Sequence, residues 1–121
     1  MALGKPLRVS IERPAELVYE FLRQPESFPR WASWTGQTNG AVTVRFSDHN
    51  RRGVLDHAVE RADGESSYIP LRVIPNGAGC DLILGLFRPA GVRDEEFAAA
   101  AEHKLRALFA AKQILEAEHG A

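Results

Sequence analysis

The stretch VRDEEFAAAAEHKLRALFAAKQILEAE, residues 92–118, decides the fold of this chain. Side chains recur in it every three or four residues, as on one face of an α-helix, and that face carries Phe97, Ala101, Leu105, Leu108, Lys112 and Leu115. Asp94 is a predicted N-cap, and two glutamates follow it in the first turn, where carboxylates favour the positive end of the helix dipole. About 25 helical residues would span roughly 38 Å, so the helix must pack across a broad surface.

The chain before this helix contains mostly strand patterns. Leu7, Val9 and Ile11 alternate with polar residues and predict a first strand, and Pro14 then opens a helix over Ala15–Arg23, with at most a short second helix before Trp31. Alternation and turn signals predict four further strands, at residues 42–47, 54–60, 67–74 and 80–88. Pro70 indicates an edge position or a bulge in the third of these. This order predicts an α+β fold in which an antiparallel sheet packs against the last helix.

Several segments resemble one known superfamily. They are Ile11 to Leu22, Phe28 to Trp31, Gly53 to His57, Arg72 to Gly77 and the closing Leu-Phe-Arg-Pro-Ala-Gly before the long helix. Together they are similar to small bacterial members of the polyketide cyclase/dehydrase and START-like (SRPBCC) superfamily. The resemblance implies a helix-grip fold, with a curved antiparallel sheet wrapped around the C-terminal helix and a ligand cavity between them. About five strands are predicted where fuller members have six or seven, which implies a small cavity or one that opens at one side.

Composition excludes several classes of function. The 121 residues are expected to form a single domain, and a net charge of −1 with both signs interspersed disfavours nucleic acid and polybasic membrane binding. No stretch is long and apolar enough for membrane insertion, and the N-terminus lacks a signal-peptide pattern, so a cytoplasmic location is expected. One cysteine and four scattered histidines show no metal-ligand spacing, so neither a metal nor another cofactor is expected.

The preferred hypothesis is the binding of a small hydrophobic molecule between the sheet and the last helix, since the predicted sheet interior is mostly aliphatic. The side chains predicted to line the cavity are Trp31, His57, Tyr68, Arg72, Phe87, Ala101 and Leu105. Small residues early in the helix place the predicted cavity toward its N-terminal half. Arg72 is equally interpretable as a charge on the outer face. Lys112 is interpreted as a side chain whose methylenes pack while its ammonium reaches water.

Two alternatives remain open at this stage. In the first, the protein is a cyclase- or dehydratase-like enzyme that uses His57 as its acid or base, with Arg72 or Tyr68 assisting. This enzyme hypothesis fails if His57 packs against the backbone with no path to solvent. A direct hydrogen bond between His57 and Asp56 is not expected, because neighbouring strand residues point to opposite faces. In the second, the chain binds a protein partner through an apolar patch near Trp34 or Phe28, or forms a homodimer through the strand that carries Val42 and Val44.

Overall fold

A computed structural model describes residues 2–24, 26–31, 42–61, 66–88 and 90–118. Its elements follow the chain in the order β1 (Ala2–Ile11), α1 (Ala15–Arg23), α2 (Phe28–Trp31), β2 (Val42–Phe46), β3 (His57–Arg61), β4 (Ser66–Ile69), β5 (Leu71–Asn76), β6 (Gly79–Arg88) and α3 (Asp94–Glu118). The predicted α+β class, with two short helices after the first strand and one long helix at the end, is confirmed. The last helix begins at Asp94, which is a helical residue rather than the predicted N-cap, and its carboxylate pairs with Arg88 at 2.6 Å.

The strands form two antiparallel sheets of three strands each, in the orders β1–β6–β5 and β2–β3–β4. The predicted strand over residues 67–74 is divided at Pro70, which lies between β4 in one sheet and β5 in the other. Proline has no backbone N–H to donate to a ladder, which explains the break at this position. Six strands are therefore described instead of about five.

Backbone hydrogen bonds continue from one sheet into the other beside this break. Leu55 N donates to Leu71 O at 2.7 Å, and Val73 N donates to Gly53 O at 2.8 Å, so the chain just before β3 pairs with β5. Gly53 has a φ of +72°, and a Cβ there would collide with the carbonyl oxygen of Val73, so the close approach requires glycine. The two sheets consequently behave as one curved surface, as the helix-grip prediction required.

The main hydrophobic core lies against the β1–β6–β5 sheet. Most inward side chains of this sheet are buried, namely Leu7, Val9, Ile11, Leu71, Val73, Cys80, Leu82 and Leu84, and Leu86 near the end of β6 is partly buried. Helix α3 packs mainly on β1 and also on β6, and its buried side chains include Ala101, Leu108 and Leu115 of the predicted face. Helix α1 packs on β5 and β6 and contributes Val18 and Leu22.

Lys112 differs from its prediction. Its ammonium donates to Ser10 O at 2.7 Å and to Glu116 Oε2 at 2.8 Å, instead of reaching only water. The same Glu116 carboxylate accepts the backbone N–H of Glu12 at 2.8 Å, and Arg13 donates to Glu116 O at 3.0 Å. These bonds attach the last turns of α3 to the end of β1. Lys112 therefore links this face of α3 to the sheet.

Candidate functional site

His57 begins β3 and points into the protein, where its side chain is only 1% exposed. Its Nδ1 lies 2.9 Å from Leu55 O, and its ring centroid lies 5.0 Å from that of Phe46, its cross-strand partner. Burial lowers the pKa of His57, and the positive charge of Lys104 on α3 lowers it further, although the bond with Leu55 O opposes both effects. The imidazole is therefore neutral at pH 7. The effect of Lys104 also shows that α3 lies within electrostatic reach of this part of the interior.

Asp56 points to the opposite face, as the alternation predicted. Its carboxylate accepts four hydrogen bonds, from Arg72 Nε at 2.9 Å, Arg72 Nη2 at 2.8 Å, Tyr68 Oη at 2.7 Å and Leu71 N at 3.0 Å. These bonds, with Arg72 as the largest cause, hold the pKa of Asp56 at about 2 although its burial acts in the opposite direction. Because Tyr68 lies before Pro70 and Leu71 and Arg72 after it, Asp56 joins the two sheets where the strand breaks.

The seven predicted ligand-binding residues do not share one face. Trp31, His57 and Ala101 are buried, and Leu105 is partly buried on α3. Tyr68, Arg72 and Phe87 lie on the outer side of the sheets, and Tyr68 and Phe87 are 58% and 43% exposed. Strand parity explains this placement, because Leu71, Val73, Leu82 and Leu84 take the inward positions. Arg72 thus belongs to the Asp56 cluster, in agreement with its interpretation as an outer-face residue.

A concavity of about 640 Å³ lies between α1, the loop of residues 48–53 and β5. We call it the α1–loop groove. Its apolar lining residues are Ala15, Tyr19, Val73 and Pro75, which we call the floor, and its charged lining residues from α1 and the loop are called the rim. The sequence predicted only a hairpin loop here, because no pattern in residues 48–53 shows that α1 lies beside them. The groove was therefore missed as a candidate site.

The loop of the groove is held in place by Asn50. Its backbone N–H donates to Tyr19 Oη at 3.0 Å, its Nδ2 donates to Asp48 O and Val54 O, and its Oδ1 accepts the N–H groups of Arg52 and Val54. Such local side-chain bonds are the usual reason for asparagine in a turn. The groove is consequently a defined feature of the fold.

Three further observations concern the described residues alone. No group of three or more histidine, cysteine, aspartate or glutamate side chains among them could hold a metal ion. Burial, followed by the charge of Asp81, raises the pKa of Cys80 to about 11, so that thiol is protonated at neutral pH. Within the described part of the chain, no helix has the length and apolarity needed to cross a bilayer.

Comparison with known proteins supports the fold and leaves the family open. No family model matches the chain, and no curated protein matches it. Among solved structures, it is similar to DynU16, a protein of the dynemicin biosynthetic locus, with a TM-score of 0.74 and 13% identity over 98% of this chain. The chain spans about half of DynU16, 49% of its length.

Two bacterial proteins of comparable length also match. NE0264 from Nitrosomonas europaea has a TM-score of 0.56 and 14% identity, covering 98% of this chain and 97% of its own. Chr148 from Cytophaga hutchinsonii has a TM-score of 0.57 and 11% identity, covering 96% and 94% respectively. At such low identity these similarities establish the fold alone. The chain is an α+β protein with the helix-grip arrangement of two antiparallel sheets and a long C-terminal helix.

Proposed function

We propose that the protein binds a small, mostly apolar molecule between the inner face of the β2–β3–β4 sheet and the first half of α3, as a member of the polyketide cyclase/dehydrase and START-like superfamily. The observation that carries this proposal is incomplete packing. Val44 and Phe46 share the inward face of β2 with His57 and Val59 of β3 through the strand register, yet both remain partly exposed. The inward residues at the centre of the other sheet, such as Leu82 and Leu84, are completely buried.

The residues around this opening fit an apolar ligand with few polar groups. Val44, Phe46 and Leu105 supply partly exposed apolar surface, and burying such surface gives roughly 25 cal/mol per Å². The neutral His57 ring lies next to the Phe46 ring, with 5.0 Å between centroids, so a ligand that displaces the Phe46 ring reaches the imidazole. Trp31 and Ala101, which are buried, complete the proposed lining. A polar substituent on the ligand would be directed toward His57 or Lys104.

The arrangement favours binding over acid–base catalysis. His57 is 1% exposed, and its ring is hydrogen-bonded to a backbone carbonyl oxygen. The nearest acidic residue in sequence, Asp56, points to the opposite face and is hydrogen-bonded to Arg72 and Tyr68. A catalytic histidine needs a path to its substrate and a suitably placed second polar group. We therefore do not propose the enzyme alternative. Of the residues that carry the partner-binding and homodimer alternatives, Trp34 lies outside the described residues, the side chains of Phe28 and Val42 are not described, and Val44 is partly exposed. Both alternatives stay predictions.

Binding of 1-aminoanthracene, a neutral apolar dye, tests the proposal. We expect its fluorescence to rise on binding to the wild-type protein and this signal to be lost in Val44→Trp, because the larger ring occupies the opening. Arg45→Trp is the matched control, since Arg45 is the next residue on β2 and its side chain is 69% exposed on the other face. Equal dye binding by both variants, with thermal melting unchanged from wild type, would refute the proposed site.

A further inference from the structure

The rim of the α1–loop groove carries two positively charged side chains. Arg51 and Arg52 both line the groove and are exposed, and among the described residues neither forms an ion pair. By contrast, Arg72 pairs with Asp56 at 2.8 Å, and Arg45 pairs with Glu60 at 2.6 Å. Two exposed arginines at consecutive positions, for which the described residues offer no ion pair, can hold a carboxylate, because guanidinium presents paired N–H donors to carboxylate oxygens.

The wall of the groove formed by α1 carries two carboxylates, Glu16 and Glu20, which limit where an anion can lie. Glu20 is occupied, since its carboxylate lies 2.9 Å from His49 Nε2 and 3.6 Å from Arg23 Nη1. Glu16 is the one groove carboxylate for which the described residues offer no ion pair. An anionic group is therefore repelled by the α1 wall and attracted by the loop wall, so its position in the groove is fixed.

The floor of the groove defines the rest of the ligand. Pro75, which is exposed, and Ala15, which is partly exposed, present the apolar surface between the two charged walls, and the nearly buried Tyr19 and Val73 lie below them, in a volume of about 640 Å³. Tyr19 is held by its hydrogen bond with Asn50, so its ring is fixed as part of the floor. A concave apolar floor with a few charged groups at its rim is the usual form of a small-molecule site.

We propose that the α1–loop groove binds a small organic anion, namely a carboxylate with an aromatic or aliphatic body. The carboxylate lies between Arg51 and Arg52, and the apolar body lies on Ala15 and Pro75, above the edge of Tyr19. This site is separate from the one proposed between β2–β3–β4 and α3, because none of its lining residues belongs to those elements.

Isothermal titration with 2-naphthoate, compared with its neutral analogue 2-naphthamide, tests this proposal. We expect the carboxylate to bind at least tenfold more tightly than the amide, and the double variant Arg51→Gln/Arg52→Gln to remove this preference. The control is Arg8→Gln/Arg106→Gln, which deletes two exposed arginines outside the groove and should retain the preference. Glu16→Gln should tighten naphthoate binding a few-fold, because it removes the repelling carboxylate.

NMR chemical shifts and the variant Val44→Trp distinguish the two proposed sites. Amide shifts of Asn50 and Gly53 in NMR spectra should move with naphthoate and stay unchanged in the Arg51→Gln/Arg52→Gln variant. Val44→Trp should leave naphthoate binding intact, so failure of the apolar site and failure of the groove site are distinguishable. Equal binding of acid and amide, retention of the preference in the groove double variant, or shifts confined to Val44 and Phe46 would overturn the proposal.

Discussion

The two sheets of this protein differ in how completely their inward faces are covered. In the β1–β6–β5 sheet, side chains such as Val9, Leu82 and Leu84 are buried beneath α1 and α3. In the β2–β3–β4 sheet, Val59 and His57 are buried, but Val44 and Phe46 of the outermost described strand remain partly exposed. We call these the closed layer and the open layer. The difference shows that one curved surface can provide stability along one part of its length and accessible apolar surface along another.

The largest expected effect is a difference in stability between matched leucines. Leu84→Ala in the closed layer should lower the free energy of unfolding by about 3 kcal/mol, because Leu84 is completely buried and the substitution leaves a cavity. Leu105→Ala, at a partly buried position of the proposed ligand site, should cost about 1 kcal/mol. Urea denaturation of both variants measures the difference. Equal losses would contradict the division into a closed and an open layer.

The next effect concerns the junction between the layers. The pKa of Asp56 is about 2 in the folded protein against an ordinary 3.8, so its contribution to stability is complete above about pH 4 and is lost as the pH falls toward 2. This shift corresponds to about 2 kcal/mol. Asp56→Asn should therefore destabilise the protein by about that amount at pH 7, and the difference from wild type should vanish near pH 2.

Denaturation curves at pH 7, 4 and 2 measure this effect. Asp48→Asn is the control, because Asp48 is exposed and its carboxylate forms no ion pair with any described residue, while its backbone carbonyl accepts a bond from Asn50. If Asp56→Asn and Asp48→Asn had the same effect at pH 7, Asp56 would not join the two sheets.

A third prediction concerns the open layer. Since the pKa of His57 is lowered in the folded protein, the unfolded chain binds more protons as the pH falls below about 6.5, and stability decreases in that range. The ring protons of His57 in NMR spectra should thus titrate below pH 6.5. His57→Leu should lose the corresponding part of the pH dependence of stability. Titration of His57 at or above pH 6.5 would show that the imidazole is not buried as described.

The smallest effect is expected at Lys112. Replacing it by methionine keeps the packing of its methylenes but removes the bonds to Ser10 O and Glu116, which should cost about 1 kcal/mol. Arg106→Met is the matched control on the same helix. It removes an exposed i,i+4 pair with Glu102, for which we expect less than about 0.5 kcal/mol. Thermal or urea denaturation compares them, and equal costs would mean that Lys112 does not tie α3 to β1.

The sequence predicted the elements of the fold better than the environment of single side chains. The periodicity of α1 and α3 and the alternation of the strands are local properties, so the helix over Ala15–Arg23 and the inward position of His57 could be read directly. Pro70 predicted only an edge position or a bulge, whereas in the structure the predicted strand is divided there into β4 and β5. The partners of Lys112 could not be predicted, because Ser10 lies 102 residues away in the sequence.

The candidate sites, too, could be predicted from the sequence only in part. Strand parity could have placed Tyr68 and Phe87 outside the interior, since Ile69 and Leu86 are their inward-pointing neighbours. The α1–loop groove depends on the packing of residues about 30 positions apart, such as Tyr19 and Asn50, and no motif records this contact. Whether Val44 and Phe46 are covered is likewise decided by tertiary packing.

The most direct test of the open layer is an NMR titration of the wild-type protein with 1-aminoanthracene. If this layer accepts an apolar ligand, the chemical shifts of Val44, Phe46, His57 and Lys104 should move with dye concentration. The chemical shifts of Leu82 and Leu84 in the closed layer, and of Leu115 near the end of α3, should stay constant. Shifts spread evenly over both layers, or absent from Val44 and Phe46, would contradict the account.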